Sequence, residues 1–248
     1  MNKRIVSWFS CGVTSAIATK RTIEKYQDKY PIVIAYCNTH SEHPDNMRFA
    51  SECAEWFDIP ITVLSSEGYY DIWDVFEKTR WLNGIEGARC SQELKKKVRQ
   101  NFEDLEHDIQ IFGFDIDEEK RAKKFKKNNP EVTAEFPLID LSISKSDCIV
   151  EIQSVGIELP IMYKLGYKNN NCIGCVKGAK GYWNKIRKDF PNTFDRMAKK
   201  ERELNHALNI TGTKKRGYKH IFLDELPENA GRYKSELPIQ CGLFCGEL

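Results

Sequence analysis

The sequence predicts an α/β fold with a doubly wound, mostly parallel sheet (a Rossmann-like α/β/α sandwich) and a C-terminal helical, cysteine-stapled subdomain. Two observations predict the sheet. Short β-rich runs alternate with helical patterns over the first 140 residues. The run at 31–38 is apolar almost throughout, which is typical of a strand buried on both faces of a parallel sheet. Right-handed crossovers between parallel strands then place helices on both faces.

Each element of this first part follows from its residue pattern. Strands are expected over 4–9, 31–38, 59–64 and 108–114, where β-branched and aromatic residues cluster. Helices are expected over 15–30, 45–57, 71–82 and 91–102. Ser91 is a suitable cap for the last of these helices.

The pattern changes near residue 140. A helix is expected over 144–155 with Ser144 as its cap, followed by a Gly- and Asn-rich segment and a basic helical stretch over 182–209 that Pro191 interrupts. The last 30 residues are expected to be loop-rich. We therefore expect an α/β domain over residues 1–140 and a helical and loop subdomain, with the paired cysteines, over 141–248.

Composition excludes several classes of protein. The 248 residues are 41% hydrophobic and 30% charged, which gives enough apolar material for a core and excludes a disordered chain. No apolar run is long enough for a membrane span, and the first residues do not fit a secretory signal, so we expect a cytoplasmic protein without a membrane partner. Nine cysteines in that compartment indicate metal binding or catalysis rather than disulfides.

The charge is unevenly distributed. Residues 1–119 contain 14 basic and 21 acidic side chains, whereas residues 120–248 contain 24 basic and 15 acidic ones. The basic second part suits a polyanionic partner, and nucleic acid is one possibility; a solvated, lysine-rich helical surface explains the same counts.

A small-residue turn joins the first strand to the first helix. Small side chains let backbone amides approach a ligand, and the helix N-terminus adds a partial positive charge, so the turn is a candidate phosphate or sulfate site. An ordinary helix cap is the alternative. The candidate nucleotide-binding residues here are Ser10, Cys11, Gly12, Val13, Thr14 and Ser15.

Other polar or small residues follow neighbouring strands. Asn38 and Thr39 end the second strand, and Gly113 ends the fourth. Ligands of open α/β sheets bind at the carboxyl ends of strands, so these residues are also candidates for nucleotide binding in one crevice. Arg121 follows soon after Gly113 and is a candidate catalytic residue that could turn back toward that crevice.

Arg89 and Lys95 flank Cys90 at a predicted helix start. Both cations are candidates for binding an anionic nucleotide. They would also lower the pKa of Cys90, which makes this thiol a candidate catalytic group. A solvated basic helix end with an unreactive cysteine is the alternative.

Two close cysteine pairs form the strongest local signal. Cys172 and Cys175 lie about 65 residues before Cys241 and Cys245, and two such pairs are what a tetrahedral thiolate site needs. The spacing of the cysteines fits a zinc ion and an iron–sulfur cluster equally well. Redox-active cysteines and simply buried cysteines are further alternatives. A further set is interpreted as small core residues: Cys37, Cys53 and Cys148.

Two basic stretches, 120–127 and 177–188, are interleaved with aromatic residues. Tyr182 and Trp183 in the second stretch are of the type that stacks on bases, while the lysines would follow phosphates. An exposed helix face is the more ordinary interpretation of both stretches.

Taken in order, these segments resemble the phosphoadenosine phosphosulfate (PAPS) reductase family of the PP-loop superfamily of adenine-nucleotide α-hydrolase folds. The resemblance runs over most of the chain, through 10–16, 37–44, 89–95, 113–121, 137–140, 166–167 and the cysteine-flanked tail. It implies that residues 1–140 bind an adenine nucleotide (PAPS, its adenylyl sulfate counterpart APS, or ATP) with its phosphates on the 10–15 turn. It also implies chemistry at the α-phosphate or the attached sulfate.

The chain departs from the family pattern at two places. Cys11 and Thr14 replace the first Gly and the Asp of Ser-Gly-Gly-x-Asp-Ser, which weakens the case for Mg²⁺-ATP adenylation. The tail reads Gln-Cys-Gly-Leu-Phe-Cys, where sulfonucleotide reductases usually have Glu-Cys-Gly-Leu-His. Cys241 therefore matches the nucleophile and also belongs to the candidate metal set. The paired cysteines are similar to the cluster-bearing thiolation branch, which implies a [4Fe-4S] cluster in preference to zinc.

Three functions follow as hypotheses. In the first, Cys241 attacks the sulfur of PAPS or APS, and a thioredoxin-like thiol reductant releases sulfite. In the second, an ATP-dependent, Mg²⁺-requiring sulfurtransferase modifies nucleic acid, as DNA phosphorothioation and tRNA thiolation enzymes do, with sulfur from a separate donor. In the third, the protein binds nucleotide or nucleic acid without catalysis. A homo-oligomer is expected, although the sequence does not resolve its size.

Overall fold

A computed structural model describes residues 3–84, 87–213 and 217–241 of the chain. Its strands are β1 (Arg4–Trp8), β2 (Ile32–Cys37), β3 (Ile61–Leu64), β4 (Asn83–Gly84), β5 (Gly87–Ala88), β6 (Asp108–Phe112), β7 (Ala134–Glu135), β8 (Asn209–Thr213) and β9 (Gly217–Ile221). Its helices are α1 (Val13–Tyr26), α2 (Asn46–Phe57), α3 (Ile72–Thr79), α4 (Arg89–Ser91), α5 (Lys97–Phe102), α6 (Glu119–Asn128), α7 (Pro137–Asp140), α8 (Lys145–Ser154), α9 (Ile161–Lys164), α10 (Lys180–Asp189) and α11 (Pro191–Leu204).

A five-stranded parallel sheet forms the centre of the molecule, and its order is β3-β2-β1-β6-β7. Ile5 of β1 lies opposite Ile32 of β2 on one side and Ile109 of β6 on the other. The chain builds the sheet outward from β1 in one direction through β2 and β3, and then in the other through β6 and β7. The predicted doubly wound α/β fold is confirmed, because β1 and β6 are buried along nearly their whole length as central parallel strands must be.

Helices cover both faces of this sheet. One face packs on α1, α2 and α8, whose contributions include Ile17, Phe49 and Ile152. The other face packs on α5 and α6 through Val98 and Phe125. The predicted cap of α8 is present, since Ser144 and Asp147 form reciprocal side-chain to backbone hydrogen bonds at its N-terminus.

A second core lies beside the sheet domain. In this core, Val75 and Phe76 of α3 pack together with Leu94. Trp183 of α10 and Met197 of α11 belong to the same cluster. Elements from both sides of residue 140 therefore build each core: α8 packs on the sheet, and α3 packs with the C-terminal helices.

The helix predicted over 91–102 begins earlier and has a different form. It starts at Arg89, after Ala88 as its cap, and runs through a single π-helical turn at Gln92–Lys96 into α5. Ser91 is not its cap; instead the Ser91 hydroxyl lies 3.3 Å from the sulfur of Cys241. A π turn of this kind is frequent at functional sites, because it re-aims the side chains that follow it.

The C-terminal region contains one element that the sequence patterns did not predict. The basic stretch over 182–209 divides at Pro191 into α10 and α11 as expected, but β8 and β9 then form an antiparallel hairpin in place of loop. None of the helices in the described ranges has the length and apolar character that crossing a membrane requires.

Candidate functional site

The turn between β1 and α1 presents backbone N–H groups at a helix N-terminus. Gly12 is the cap of α1 in an extended conformation, and no side chain in the described part of the chain caps the helix. The Ser15 hydroxyl accepts hydrogen bonds from the Ser10 N–H (3.0 Å) and the Ser10 hydroxyl (3.1 Å) and donates to the Gly12 carbonyl (2.8 Å). Cys11, with φ of 54°, adopts the left-handed conformation that the turn needs. The turn therefore leaves the first backbone N–H groups of α1 without a side-chain cap among the described residues, as the predicted anion site requires.

Gly113 lets the end of β6 approach this turn closely. A Cβ atom at position 113 would lie 2.6 Å from Ser15 Cα and 2.7 Å from Ser15 N. The strand order reverses between β1 and β6, and open α/β sheets bind ligands at such a reversal. A cavity of about 520 Å³ opens there, and Ser10, Gly12 and Gly113 contribute to its walls. We call it the nucleotide cavity.

Three cationic side chains line the nucleotide cavity: Lys95, Arg121 and Lys145. Lys145 donates to the Lys168 carbonyl and the Asn169 side chain, and burial lowers the pKa of its ammonium group. The guanidinium of Arg121 lies 4.2 Å from the centre of the Phe114 ring. The sequence analysis missed Lys145, although its position directly after a capping serine at a helix start was the available signal.

Carboxylates share the same walls. Asp115, Asp117 and Glu118 line the nucleotide cavity, and Glu118 pairs with Arg121. Burial, together with the nearby charge of Glu118, raises the pKa of Asp115. A polyphosphate in this cavity would thus meet acidic as well as basic groups.

A buried ion pair lies between the nucleotide cavity and the cysteines. Lys95 Nζ is 3.0 Å from Glu42 Oε1, and the other carboxylate oxygen of Glu42 accepts from Tyr36 (2.7 Å) and Asn46 (2.9 Å). Burial alone would lower the pKa of Lys95, but Glu42 and the sulfur of Cys241 outweigh it and raise that pKa well above its usual value. Lys95 is therefore a fixed positive charge.

Four cysteines from three parts of the chain converge beside Lys95: Cys90, Cys172, Cys175 and Cys241. We call them the four-cysteine group. The thiols of Cys175 and Cys241 are hydrogen-bonded to each other, and Cys90 and Cys172 lie close enough to Cys175 to affect its pKa. Thr39 Oγ1 lies 3.2 Å from the Cys172 sulfur.

The group has an uneven distribution of charge. The hydrogen bond with Cys241 and burial raise the pKa of Cys175, whereas burial is the main cause that raises the pKa of Cys172. The hydrogen bond with Cys175, with Lys95 and Lys177 nearby, lowers the pKa of Cys241 well below that of an ordinary thiol. Cys241 is thus the thiolate of the group, and it lines the nucleotide cavity.

The candidate residues do not all meet in one place. Ser10, Gly12, Thr14, Ser15, Lys95, Gly113, Arg121 and Cys241 line the nucleotide cavity. Cys11 and Val13 belong to the turn, but their side chains are buried in the core. Asn38 and Arg89 are not among the cavity-lining residues; Asn38 bonds to His40, and Arg89 pairs with Glu93. Thr39 faces Cys172, and Cys245 lies outside the described residues.

The remaining cysteines and aromatic residues are core elements. Cys37, Cys53 and Cys148 are buried, and burial raises the pKa of each thiol to about 12, in agreement with the predicted core role. The base-stacking interpretation of Tyr182 and Trp183 is wrong for these two residues, since both are buried in the second core. The Tyr182 hydroxyl instead accepts from the backbone of Gly174 and Cys175 and so shapes the cysteine turn.

No protein-family model and no curated protein matches the sequence. Among solved structures, the chain is similar to the U34-tRNA thiolase NcsA from Methanococcus maripaludis, determined with its [4Fe-4S] cluster. The identity is 14% and the TM-score 0.47, and the match covers 83% of this chain and 73% of that one. Similarity at this level assigns no activity, so the function has to follow from the site.

Proposed function

We propose that this protein is an adenine-nucleotide-dependent sulfurtransferase that uses ATP to activate an acceptor atom and replaces that atom with sulfur. The observation that carries the proposal is the shared cavity. Cys241, a member of the four-cysteine group, lines the same space as the anion-binding turn of Ser10, Gly12 and Thr14. A phosphate on that turn and a sulfur at the cysteines would therefore be neighbours, which an adenylate-then-sulfur sequence requires.

The cavity charges support a polyphosphate substrate. The α1 N-terminus and the ammonium and guanidinium groups of Lys95, Lys145 and Arg121 favour phosphate oxygens. Asp115 and Asp117 would repel them unless a divalent cation intervened. Mg²⁺ in nucleotide enzymes binds substrate phosphates together with one or two carboxylates, so these acids suit Mg²⁺-ATP although the turn itself lacks an aspartate.

The four-cysteine group suits an iron–sulfur cluster. Sulfurs that share one tetrahedral zinc ion are about 3.8 Å apart, given zinc–sulfur bonds of about 2.3 Å. Within the described ranges, no three His, Cys, Asp or Glu side chains are arranged around a single ion position. Four cysteine thiolates are the ligand set of a [4Fe-4S] cluster, and the thiols of this group interact with one another. Thiols of this group would hold the cluster, which when bound would supply sulfur at the oxidation level of sulfide.

The reaction balances without an external oxidant or reductant when sulfide enters as such. An acceptor oxygen attacks the α-phosphorus and pyrophosphate leaves; sulfur then attacks the activated carbon, and AMP leaves with the oxygen. The chain's own part is to hold the phosphates, and Lys95 stabilises negative charge between the two reacting groups. A nucleic acid acceptor would suit the 24 basic and 15 acidic residues of the region 120–248.

Sulfonucleotide reduction is the second candidate, and the position of Cys241 on the cavity wall favours it. There the thiolate would attack the sulfate sulfur of PAPS or APS, form an S-sulfocysteine and release the adenosine phosphate. A thioredoxin-like dithiol would then supply two electrons and release sulfite.

Product analysis on anaerobically purified protein tests the proposal. We expect iron and acid-labile sulfide in the protein, and AMP with pyrophosphate from ATP when an RNA or DNA acceptor and sulfide are present. Cys175→Ser should abolish iron binding, whereas the buried Cys53→Ser should retain it as the matched control. Sulfite from PAPS or APS, with no turnover of ATP, would replace the first candidate with the second. Absence of both adenylate affinity and bound metal would refute both.

A further inference from the structure

A second cavity reaches the four-cysteine group from another side. Its volume is about 570 Å³, and its walls include Cys172, Lys168, Lys177 and Tyr233. Cys241 lines the nucleotide cavity and Cys172 lines this one, so the two spaces reach different residues of one group. We call it the Cys172 cavity.

A strap of the chain at residues 237–240 separates the two cavities. Its residues line both spaces, together with Asn169 and Asn171. The two asparagine side chains donate to the same carbonyl, that of Ile239, at 2.9 and 3.2 Å, and Lys177 Nζ donates to the Gln240 carbonyl at 2.9 Å. The strap therefore forms a wall that the two cavities share.

The charges of the Cys172 cavity favour an anion. Lys168 and Lys177 line it, and the only carboxylate among its described lining residues is that of Glu236. That carboxylate already accepts from the N–H groups of Gly181 (2.6 Å) and Tyr182 (2.9 Å) at the start of α10, where the helix dipole offsets its charge. The ammonium groups of Lys168 and Lys177 thus make the electrostatic potential inside the Cys172 cavity positive.

The aromatic walls do not favour a stacked nucleobase. Lys185 Nζ lies 4.5 Å from the ring centre of Tyr167 and 6.0 Å from that of Tyr233, so a cation already occupies a face of each ring. The remaining walls are apolar at Met162, Pro238 and Ile239 and carry the side-chain amides of Asn169, Asn171 and Gln240. A small anion with a polarisable, weakly hydrated atom suits such a space better than a base with many polar edges.

We propose that the Cys172 cavity admits hydrosulfide to the four-cysteine group while the nucleotide cavity is occupied. This inference rests on the proposed function for the use of the sulfur, but it makes a separate statement about access. Nucleotide and sulfur compound would enter by different routes, and neither would have to leave before the other arrived.

Thiol modification of the full chain, freed of bound metal under anaerobic conditions and kept at a temperature at which trypsin does not cleave after Lys234, tests this access by mass spectrometry. The probes are a methyl, an anionic sulfonatoethyl and a cationic trimethylammonium-ethyl methanethiosulfonate. We expect saturating AMP to slow modification of Cys241 at least 10-fold and of Cys172 less than 2-fold. The anionic probe should modify Cys172 at least 5-fold faster than the cationic one, and Lys177→Gln should remove this preference.

A blocking variant gives an independent measurement. Ala179 is exposed and lines the Cys172 cavity, so Ala179→Trp should slow modification of Cys172 at least 10-fold while AMP affinity and the Cys241 rate stay unchanged. Val150→Trp, at a 66% exposed position on α8, is the matched control and should change neither rate.

The outcomes are distinguishable. Equal protection of both cysteines by AMP, or a faster cationic probe, would overturn the inference. Entry of the uncharged methyl probe with neither charged probe would overturn the anion preference, whereas faster modification by the sulfonatoethyl probe than by the cationic probe supports it. A chain without AMP affinity would refute the proposed function, while the charge preference and the Ala179→Trp variant would still decide whether the Cys172 cavity is a route to the sulfur.

Discussion

At the scale of single residues, the site depends on charges and contacts that are buried. The Glu42 carboxylate accepts hydrogen bonds from the side chains of Tyr36, Asn46 and Lys95. It thereby holds the lysine between the nucleotide cavity and the sulfurs. An isolated charge at either position would be costly, because only 3% of the Glu42 side chain and 10% of the Lys95 side chain is exposed.

The Glu42–Lys95 pair gives a prediction about stability and binding. Lys95→Met should lower the free energy of unfolding by about 3–5 kcal/mol, because it leaves the Glu42 carboxylate unpaired in the interior. The double variant Lys95→Met with Glu42→Gln should recover much of this loss and yet bind adenylate at least 10-fold more weakly than wild type. Urea denaturation and calorimetry measure the two quantities. Lys123→Met, on the exposed side of α6, is the control, and equal adenylate affinity in all variants would contradict the role given to Lys95.

Gly113 provides a second prediction at this scale. Gly113→Ala should destabilise the protein by about 1–3 kcal/mol and weaken adenylate binding, since the new Cβ would press on the Ser15 backbone and displace the turn. Gly68→Ala is the matched control, because a Cβ atom at position 68 would meet nothing within 4 Å among the described residues. Thermal unfolding and AMP titration of both variants check this; an unchanged Gly113→Ala protein would mean that the turn tolerates a shift of several tenths of an ångström.

At the scale of elements, one helix and one hairpin decide the surroundings of the site. The π turn at Gln92–Lys96 lies between Cys90 and α5 and leaves Glu93 and Lys95 buried instead of solvated. The β8–β9 hairpin is fixed at both ends by one carboxylate: Glu201 of α11 accepts from the N–H of Leu208 before β8 and of Leu223 after β9, each at 2.6 Å.

This carboxylate makes the stability of the hairpin base depend on pH. Burial raises the pKa of Glu201 to about 7 from 4.5, despite the two hydrogen bonds that lower it. A raised carboxyl pKa means that the protonated form is favoured in the folded state. The stability that Glu201 contributes is therefore fully present below pH 4.5 and is lost as pH rises through 7. The free energy of unfolding should fall by roughly 2–3 kcal/mol over this range.

Urea denaturation between pH 4.5 and 8 measures this dependence. We expect the free energy of unfolding to fall with rising pH in wild type and to fall less in Glu201→Gln, whose amide does not ionise. The comparison uses the slope, so a uniform loss of stability from the amide substitution does not affect it. The same slope in both proteins would assign the pH dependence to other groups.

At the scale of the whole molecule, the four-cysteine group connects segments that are far apart in sequence. Cys90 precedes the π turn, Cys172 and Cys175 belong to the second core, and Cys241 follows the strap. A bound metal centre would cross-link these segments only in the folded state, and any such ligand adds its binding free energy to folding.

Metal removal is therefore expected to loosen the C-terminal part first. Anaerobic treatment with a chelator should lower the Tm and should accelerate cleavage by trypsin after Lys234, while the parallel sheet stays protected. Mass spectrometry of a digestion time course identifies the cleaved bond. Cys175→Ser, which lacks a ligand, should already be cleaved at the fast rate, and a metal-free wild type that resists trypsin as the loaded protein does would contradict the cross-linking role.

The sequence by itself determined the sheet, its helices and the turn at the end of β1, because these depend on local periodicity and on short patterns of apolar, small and capping residues. It also identified residues after β1 and β6 that meet at the nucleotide cavity, since parallel strands end on one edge by necessity. Only the tertiary structure decided which cysteines group together, that Lys145 faces the nucleotide cavity, that Tyr182 and Trp183 are core residues and that a strap divides two cavities. Those facts depend on contacts between segments about 50 to 150 residues apart, and no local pattern specifies how distant segments pack.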